Sequence, residues 1–144
     1  MFLVRKYINK CRNSHYKEVC KELLITLDEE MNYMLKRILF VDDEAQILRS
    51  ITRLFMDTEY DILTAESGAE ALDILEIEQV DVIVSDMKMP KMTGYELLSQ
   101  VKRKFPDIVR IILSGFSDER IVFDALQKNI AKLYILKPHF SSIF

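Results

Sequence analysis

Short, unbroken apolar runs are the feature that most limits what this chain can become. Residues 38–41 read ILFV and residues 82–84 read VIV, with no alternation of polar and apolar positions. Runs of this kind fill strands covered on both faces, the condition of a parallel sheet flanked by helices. The segments between them carry the matching helical pattern. Ile47, Leu48, Ile51, Leu54 and Phe55 mark one face, and Gly94, Leu97, Leu98, Val101 and Phe105 mark another. Further strands are expected at 60–64, 80–85, 108–113 and 133–136, with helices burying Leu72 and Leu75, then Ile121, Val122, Ala125 and Leu126. Strands alternating with helices at this pitch give the fold class: α/β, a doubly wound parallel sheet.

Local signals mark the joints. Ser67-Gly68-Ala69-Glu70 has the spacing of a capping box, and Pro106 closes the third helix. Ser117 or Asp118 is placed to cap the fourth helix, and Asn129 to end it. Asp61 suits an edge strand. After Pro138 only HFSSIF remains, too short for a helix returning over the last strand. The last helix is therefore expected to be missing or truncated, leaving one face bare near the fifth strand.

At 144 residues the chain is long enough for one domain with a real core. A net charge of −3 argues against direct nucleic-acid binding, which calls for a basic patch on a folded motif. No stretch is apolar for long enough to span a bilayer, and MFLVRKYINK is broken by charge too early for a secretory segment. Cys11 and Cys20 match no metal or redox spacing and read as free thiols, in keeping with a cytoplasmic protein. His15 and His139 read as solvated surface residues.

The expected division is an extension over 1–35, helical from about residue 16, and a main domain over 36–144, truncated after the fifth strand. Residues 1–17 hold five basic side chains (Arg5, Lys6, Lys10, Arg12, Lys17) and no acid. Tyr16, Cys20, Leu23, Leu27 and Met34 form a heptad-like stripe that Glu30 interrupts. Three readings are open: a helix packed on the main domain, a dimerising helix, or sequence upstream of a start at Met31 or Met34.

Parallel strands end at one edge of their sheet, so Asp42, Asp43, Asp86, Ser114 and Lys137 are brought together there. Each has a bland reading alone. Asp43 could cap the next helix with Gln46 at its third position, Ser114 could be a turn hydroxyl, and Lys137 an exposed lysine. Together they describe a site. Three close carboxylates repel one another and favour a hard divalent cation, pointing to Mg²⁺. A hydroxyl and an ammonium opposite can hold phosphoryl oxygens, which makes the constellation suited to phosphoryl transfer by positioning and electrostatics.

The chain resembles the receiver domain of two-component response regulators. The resemblance rests on RILFVDDE at 37–44, DVIVSDMKMPKMTG at 81–94, IILSG at 111–115 and LYILKP at 133–138, in the family's order and spacing over 36–138. It implies a five-stranded sheet of order 2-1-3-4-5 and a phosphorelay function, in which Asp86 accepts a phosphoryl group from a histidine kinase or phosphotransfer protein. It also implies that Asp43, Asp86 and the backbone carbonyl of Lys88 ligate Mg²⁺, with Asp42 acting through bound water. Ser114 looks like the switch hydroxyl, Lys137 like the lysine that pairs with the phosphoryl group, and Tyr134 stands at the switch-aromatic position. Lys88 and Phe116 occupy the family's variable, lifetime-tuning positions. Met87, Met89 and Met92 read as loop and core residues, and Pro90 and Gly94 as loop residues without a chemical role.

By the same resemblance the domain is a switch rather than a turnover enzyme, read by an unidentified downstream protein at the fourth helix and fifth strand. Whether it forms a homodimer is open. An aspartate-nucleophile phosphatase of the haloacid-dehalogenase type would need a second Asp where Lys88 stands. The alternative is a non-signalling receiver remnant or protein-interaction module.

Overall fold

Which helix each strand residue meets is decided by alternation within the apolar runs. The computed structural model describes residues 36–115 and 118–136. They run as β1 (Arg37–Val41), α1 (Ala45–Phe55), β2 (Asp61–Ala65), α2 (Gly68–Ile77), β3 (Val82–Asp86), α3 (Gly94–Lys104), β4 (Val109–Ser114), α4 (Glu119–Gln127) and β5 (Leu133–Leu136). All strand pairs are parallel, and the sheet order is β2-β1-β3-β4-β5, as the resemblance implies.

On one face Ile38, Phe40, Val82, Val84, Ile111, Leu113 and Ile135 pack with Ile47, Leu48, Ile51 and Phe55 of α1. On the other, Leu39, Val41, Ile83 and Ile112 meet Ala71 and Leu75 of α2, Leu97, Leu98 and Val101 of α3, and Val122 and Ala125 of α4. Every residue of β3 is buried, which is why its sequence carries no alternation. Phe55 anchors the first core, its ring 5.6 Å from that of Phe40 and 5.9 Å from that of Tyr60.

Several joints differ from expectation. β2, β3 and β4 start and end one or two residues later than the apolar runs alone indicate. Asp61 does open the edge strand, exposed and bonded at 2.7 Å to the Arg37 guanidinium, whose pKa it raises. Ser67 caps α2 by accepting from the Glu70 N–H, but the Glu70 carboxylate accepts from the Glu66 N–H instead of closing the box on Ser67. A complete capping box is found at α3, where Thr93 and Glu96 bond reciprocally. Ile121 lies outside the buried face of α4 and is 47% exposed, because Val122 and Ala125 set the direction of that face. Asn129 ends α4 as expected, in the left-handed region at φ 54°.

Ile111, Leu113 and Ile135 are buried, so the α1 side of β4 and β5 is not bare at those positions. Near β5 the exposed large apolar side chains among the described residues lie towards the opposite face, Phe123 of α4 and Tyr134 of β5 with them. The expected amino-terminal helix, and the expectation that the last helix is missing or truncated, both fall outside the described residues. No described helix is long and apolar enough to cross a membrane.

Candidate functional site

Asp42 directly follows β1 and Asp86 is the last residue of β3, so adjacent strands deliver both to the same edge of the sheet. Parallel register then stacks the rest beside them. Asp86 pairs with Leu113, which places Ser114 one residue further along β4, and Ser114 pairs with Leu136, the residue before Lys137.

Asp42, Asp43 and Asp86 each offer a carboxylate oxygen within 4.8 Å of the others. Asp42 and Asp86 are buried and Asp43 is exposed, so the cluster is sunk at the sheet and open towards solvent. Asp43 does not cap α1: the N-cap is Glu44, which makes no side-chain cap, and its N–H donates to Asp42 Oδ1 at 2.9 Å. The bland reading of Asp43 therefore fails. Three carboxylates at this spacing are close enough for one hard cation to bridge, and all their donors are oxygen.

The loop after β3 is built by close packing. Gly94 donates its N–H to the Met87 carbonyl at 2.9 Å, and a Cβ at Gly94 would run into the Asp86 carbonyl oxygen. The glycine thus has a positional task that its family match alone did not reveal: it lets the start of α3 approach the end of β3. Met87 and Met89 are buried in the core, as expected. Ser85 donates its hydroxyl to the Asp86 carbonyl at 2.9 Å, steadying the strand end from within.

Ser114 is buried, and its hydroxyl donates to the Gly115 carbonyl at 3.3 Å. Tyr134 is 51% exposed and with Ser114 lines a groove of about 570 Å³ between α4 and β5, together with Val122, Phe123, Leu126 and Leu136. Lys137 and Phe116 lie outside the described residues.

Three features escaped the sequence. Lys88 Nζ stands 3.1 Å from Asp118 Oδ1. The Tyr95 hydroxyl donates to Asp124 at 2.6 Å, linking α3 to α4, and Lys128 pairs with the same carboxylate oxygen at 3.1 Å. Arg110, buried near the start of β4, donates to the carbonyls of Ile130, Asn129, Ile108 and Pro106. Apart from Asp124 and Lys128, which are four residues apart on one helix, these contacts follow no recognisable sequence pattern, so only the fold reveals them.

The response regulator receiver domain family model matches residues 38–142. The hydrogenase transcriptional regulatory protein HoxA of Cupriavidus necator is 38% identical over 101 residues, covering 70% of this chain and 21% of that protein. The transcriptional regulatory protein GlrR of Escherichia coli is 31% identical over 108 residues, covering 75% of this chain and 24% of that protein. The chain therefore spans less than a quarter of the length of either relative. Among solved structures, a response regulator receiver domain protein from Clostridium thermocellum superposes with a TM-score of 0.67 at 36% identity, covering 75% of this chain and 86% of that one. The response regulator TrrA of Thermotoga maritima, in complex with Mg²⁺-BeF, gives 0.64 at 32% identity, covering 74% and 90%. The sheet order, the acidic cluster at the strand ends and the family match agree: the chain belongs to the response regulator receiver domains of two-component signalling systems.

Proposed function

We propose that this chain is a working phosphoacceptor in which Asp86 takes a phosphoryl group from a sensor histidine kinase or a phosphotransfer protein. The observation that carries the reading is the meeting of Asp42, Asp43 and Asp86 within 4.8 Å at the ends of β1 and β3. An Asp86 carboxylate oxygen attacks phosphorus, the P–N bond of the phosphohistidine breaks, and the imidazole nitrogen leaves with the bond pair. An acyl phosphate is formed.

Asp43, Asp86 and the Lys88 carbonyl would hold Mg²⁺ directly, and Asp42 through water. When bound, the cation offsets the charge of the attacking carboxylate and the incoming phosphoryl oxygens. The donor chemistry of the acidic cluster fits it, and the similarity to TrrA, solved with Mg²⁺-BeF, supports Mg²⁺ as the ion. Asp42 positions the start of α1 by accepting from the Glu44 N–H. Ser114 supplies a hydroxyl to a phosphoryl oxygen by leaving the Gly115 carbonyl, and Lys137 supplies an ammonium. Tyr134, exposed on β5, turns inward as Ser114 moves.

The acyl phosphate shifts the population between two arrangements of α4 and β5, and a downstream protein reads the difference. We place the boundary of the receiver at residue 36, with 1–35 as an extension, and the protein in the cytoplasm. The domain promotes its own phosphorylation and dephosphorylation without turning over a separate substrate.

Intact-protein mass after incubation with Mg²⁺ and acetyl phosphate tests the reading. One added phosphoryl group is expected, absent with EDTA and absent in Asp86→Asn. A folded protein that takes up no phosphoryl group contradicts it and leaves the interaction-module reading, for which the groove between α4 and β5 is the surface to examine.

A further inference from the structure

Two loops at the functional edge of the sheet are joined by one charged contact. Lys88 follows Asp86 by two positions, on the loop after β3; Asp118 immediately precedes α4, on the loop after β4. Their charged atoms are 3.1 Å apart, yet the two environments differ sharply, the lysine side chain being 65% exposed and the aspartate 3%. Asp118 stands at the N-cap of α4 but makes no side-chain cap, and its buried Oδ1 is in no hydrogen-bonding geometry. The ammonium of Lys88 thus meets a buried carboxylate as a point charge. Removing one member of such a pair strands the other in a poor environment for charge.

We propose that Asp118 is a positioning residue for the chemistry at Asp86: it holds the Lys88 ammonium at the start of α4, and a phosphoryl group on Asp86 competes for it. The proposal rests on the reading of Asp86 as phosphoacceptor. Phosphoryl oxygens carry up to about two negative charges, a stronger attraction for a flexible exposed lysine than one carboxylate. Once Lys88 turns to them, Asp118 is a buried charge without compensation. It moves towards solvent and takes the first turn of α4 with it. The state of Asp86 is in this way coupled electrostatically to α4, independently of Ser114. Phe123 and the groove beside it lie on the element that moves.

The test is a mutant cycle on the rate of Mg²⁺-dependent phosphorylation by acetyl phosphate, read by intact mass. The proteins are the wild type, Asp118→Asn, Lys88→Met and the double variant, each checked for folding by thermal melting. Asn keeps the shape of Asp118 and removes its charge, freeing Lys88 for the anionic donor. Asp118→Asn is expected to react about threefold faster or more than the wild type, and to have no effect when residue 88 is Met. No acceleration, or the same acceleration in both backgrounds, overturns the proposal, since a merely structural role for Asp118 would not depend on Lys88. Asp118→Ser serves in the same cycle if the Asn variant does not fold. A wild type that takes up no phosphoryl group at all overturns the phosphoacceptor reading itself, an outcome distinct from equal rates in a labelled set.

Discussion

A side chain at position 94 has no room, because the first atom it adds meets the Asp86 carbonyl. Gly94→Ala must therefore push the start of α3 away from the end of β3 and disturb Asp86, the proposed phosphoacceptor. Urea unfolding of Gly94→Ala is expected to show a loss on the order of 1–3 kcal/mol, the usual cost of overpacking. The three carboxylates make the opposite kind of demand, since they are crowded until a cation joins them. Adding Mg²⁺ should raise the melting temperature. Asp43→Asn, at the exposed member of the cluster, should leave the fold intact while weakening Mg²⁺ binding on the order of tenfold or more, measured by calorimetric titration. If Asp43→Asn binds Mg²⁺ as well as the wild type, the ligand assignment fails.

Between elements, two polar devices that differ in chemistry add to the core packing of α4. Arg110 reaches from β4 to the carbonyls of Asn129 and Ile130 and so fixes the turn after α4. Burial lowers its pKa from the ordinary range, but a guanidinium so far above neutrality stays charged. Arg110→Met strands those carbonyls and should cost about 2–4 kcal/mol by urea unfolding. The second device is the Tyr95–Asp124–Lys128 group. The Tyr95 hydroxyl, then Lys128, hold the Asp124 carboxyl below its ordinary 3.8, whereas Asp124 raises Tyr95 above 10.0 and Lys128 above 10.5. A depressed acid contributes stability above its unfolded pKa and loses it as pH falls through the folded value. The two raised groups contribute below their unfolded values and lose it as pH rises through the folded ones. The tether between α3 and α4 is thus intact from about pH 4 to pH 10. Tyr95→Phe should melt below the wild type across that window, with the gap narrowing on either side. A gap that does not change with pH would contradict the assignment.

These elements also show what the sequence could and could not reveal. Doubly buried parallel strands announce themselves as continuous apolar runs, so the sheet and the convergence of Asp42, Asp43 and Asp86 are legible in the sequence. Ile121 was misplaced because four apolar residues in α4 span a wider arc than the helix buries, and periodicity alone does not say which edge of the arc turns outward. Arg110 left no trace, since its partners are backbone carbonyls that any sequence provides. Lys88 and Asp118 were each visible, but as a variable position and a helix cap; their meeting depends on two loops brought together by the order of β3 and β4 in the sheet.

Taken whole, the molecule gathers three carboxylates at one edge of a five-stranded sheet and holds α4 beside that edge by the buried Val122 and Ala125 and a few polar contacts. A core that is buried on both faces of β1, β3 and β4 fixes the site, and large-to-small changes there should be severe. Phe55→Ala, which removes a ring packed between Phe40 and Tyr60, should cost about 3–5 kcal/mol by chemical denaturation. A much smaller loss would mean that α1 is not the anchor of its face. On our proposal the carboxylate at the end of β3 is the group that is phosphorylated. Borohydride reduction after treatment with acetyl phosphate and Mg²⁺, followed by peptide mass mapping, tests it directly, because reduction of an acyl phosphate leaves homoserine at the modified position. Homoserine at residue 86 alone is the predicted result; homoserine at Asp42 or Asp43, or at no position in a folded and treated protein, would contradict the account.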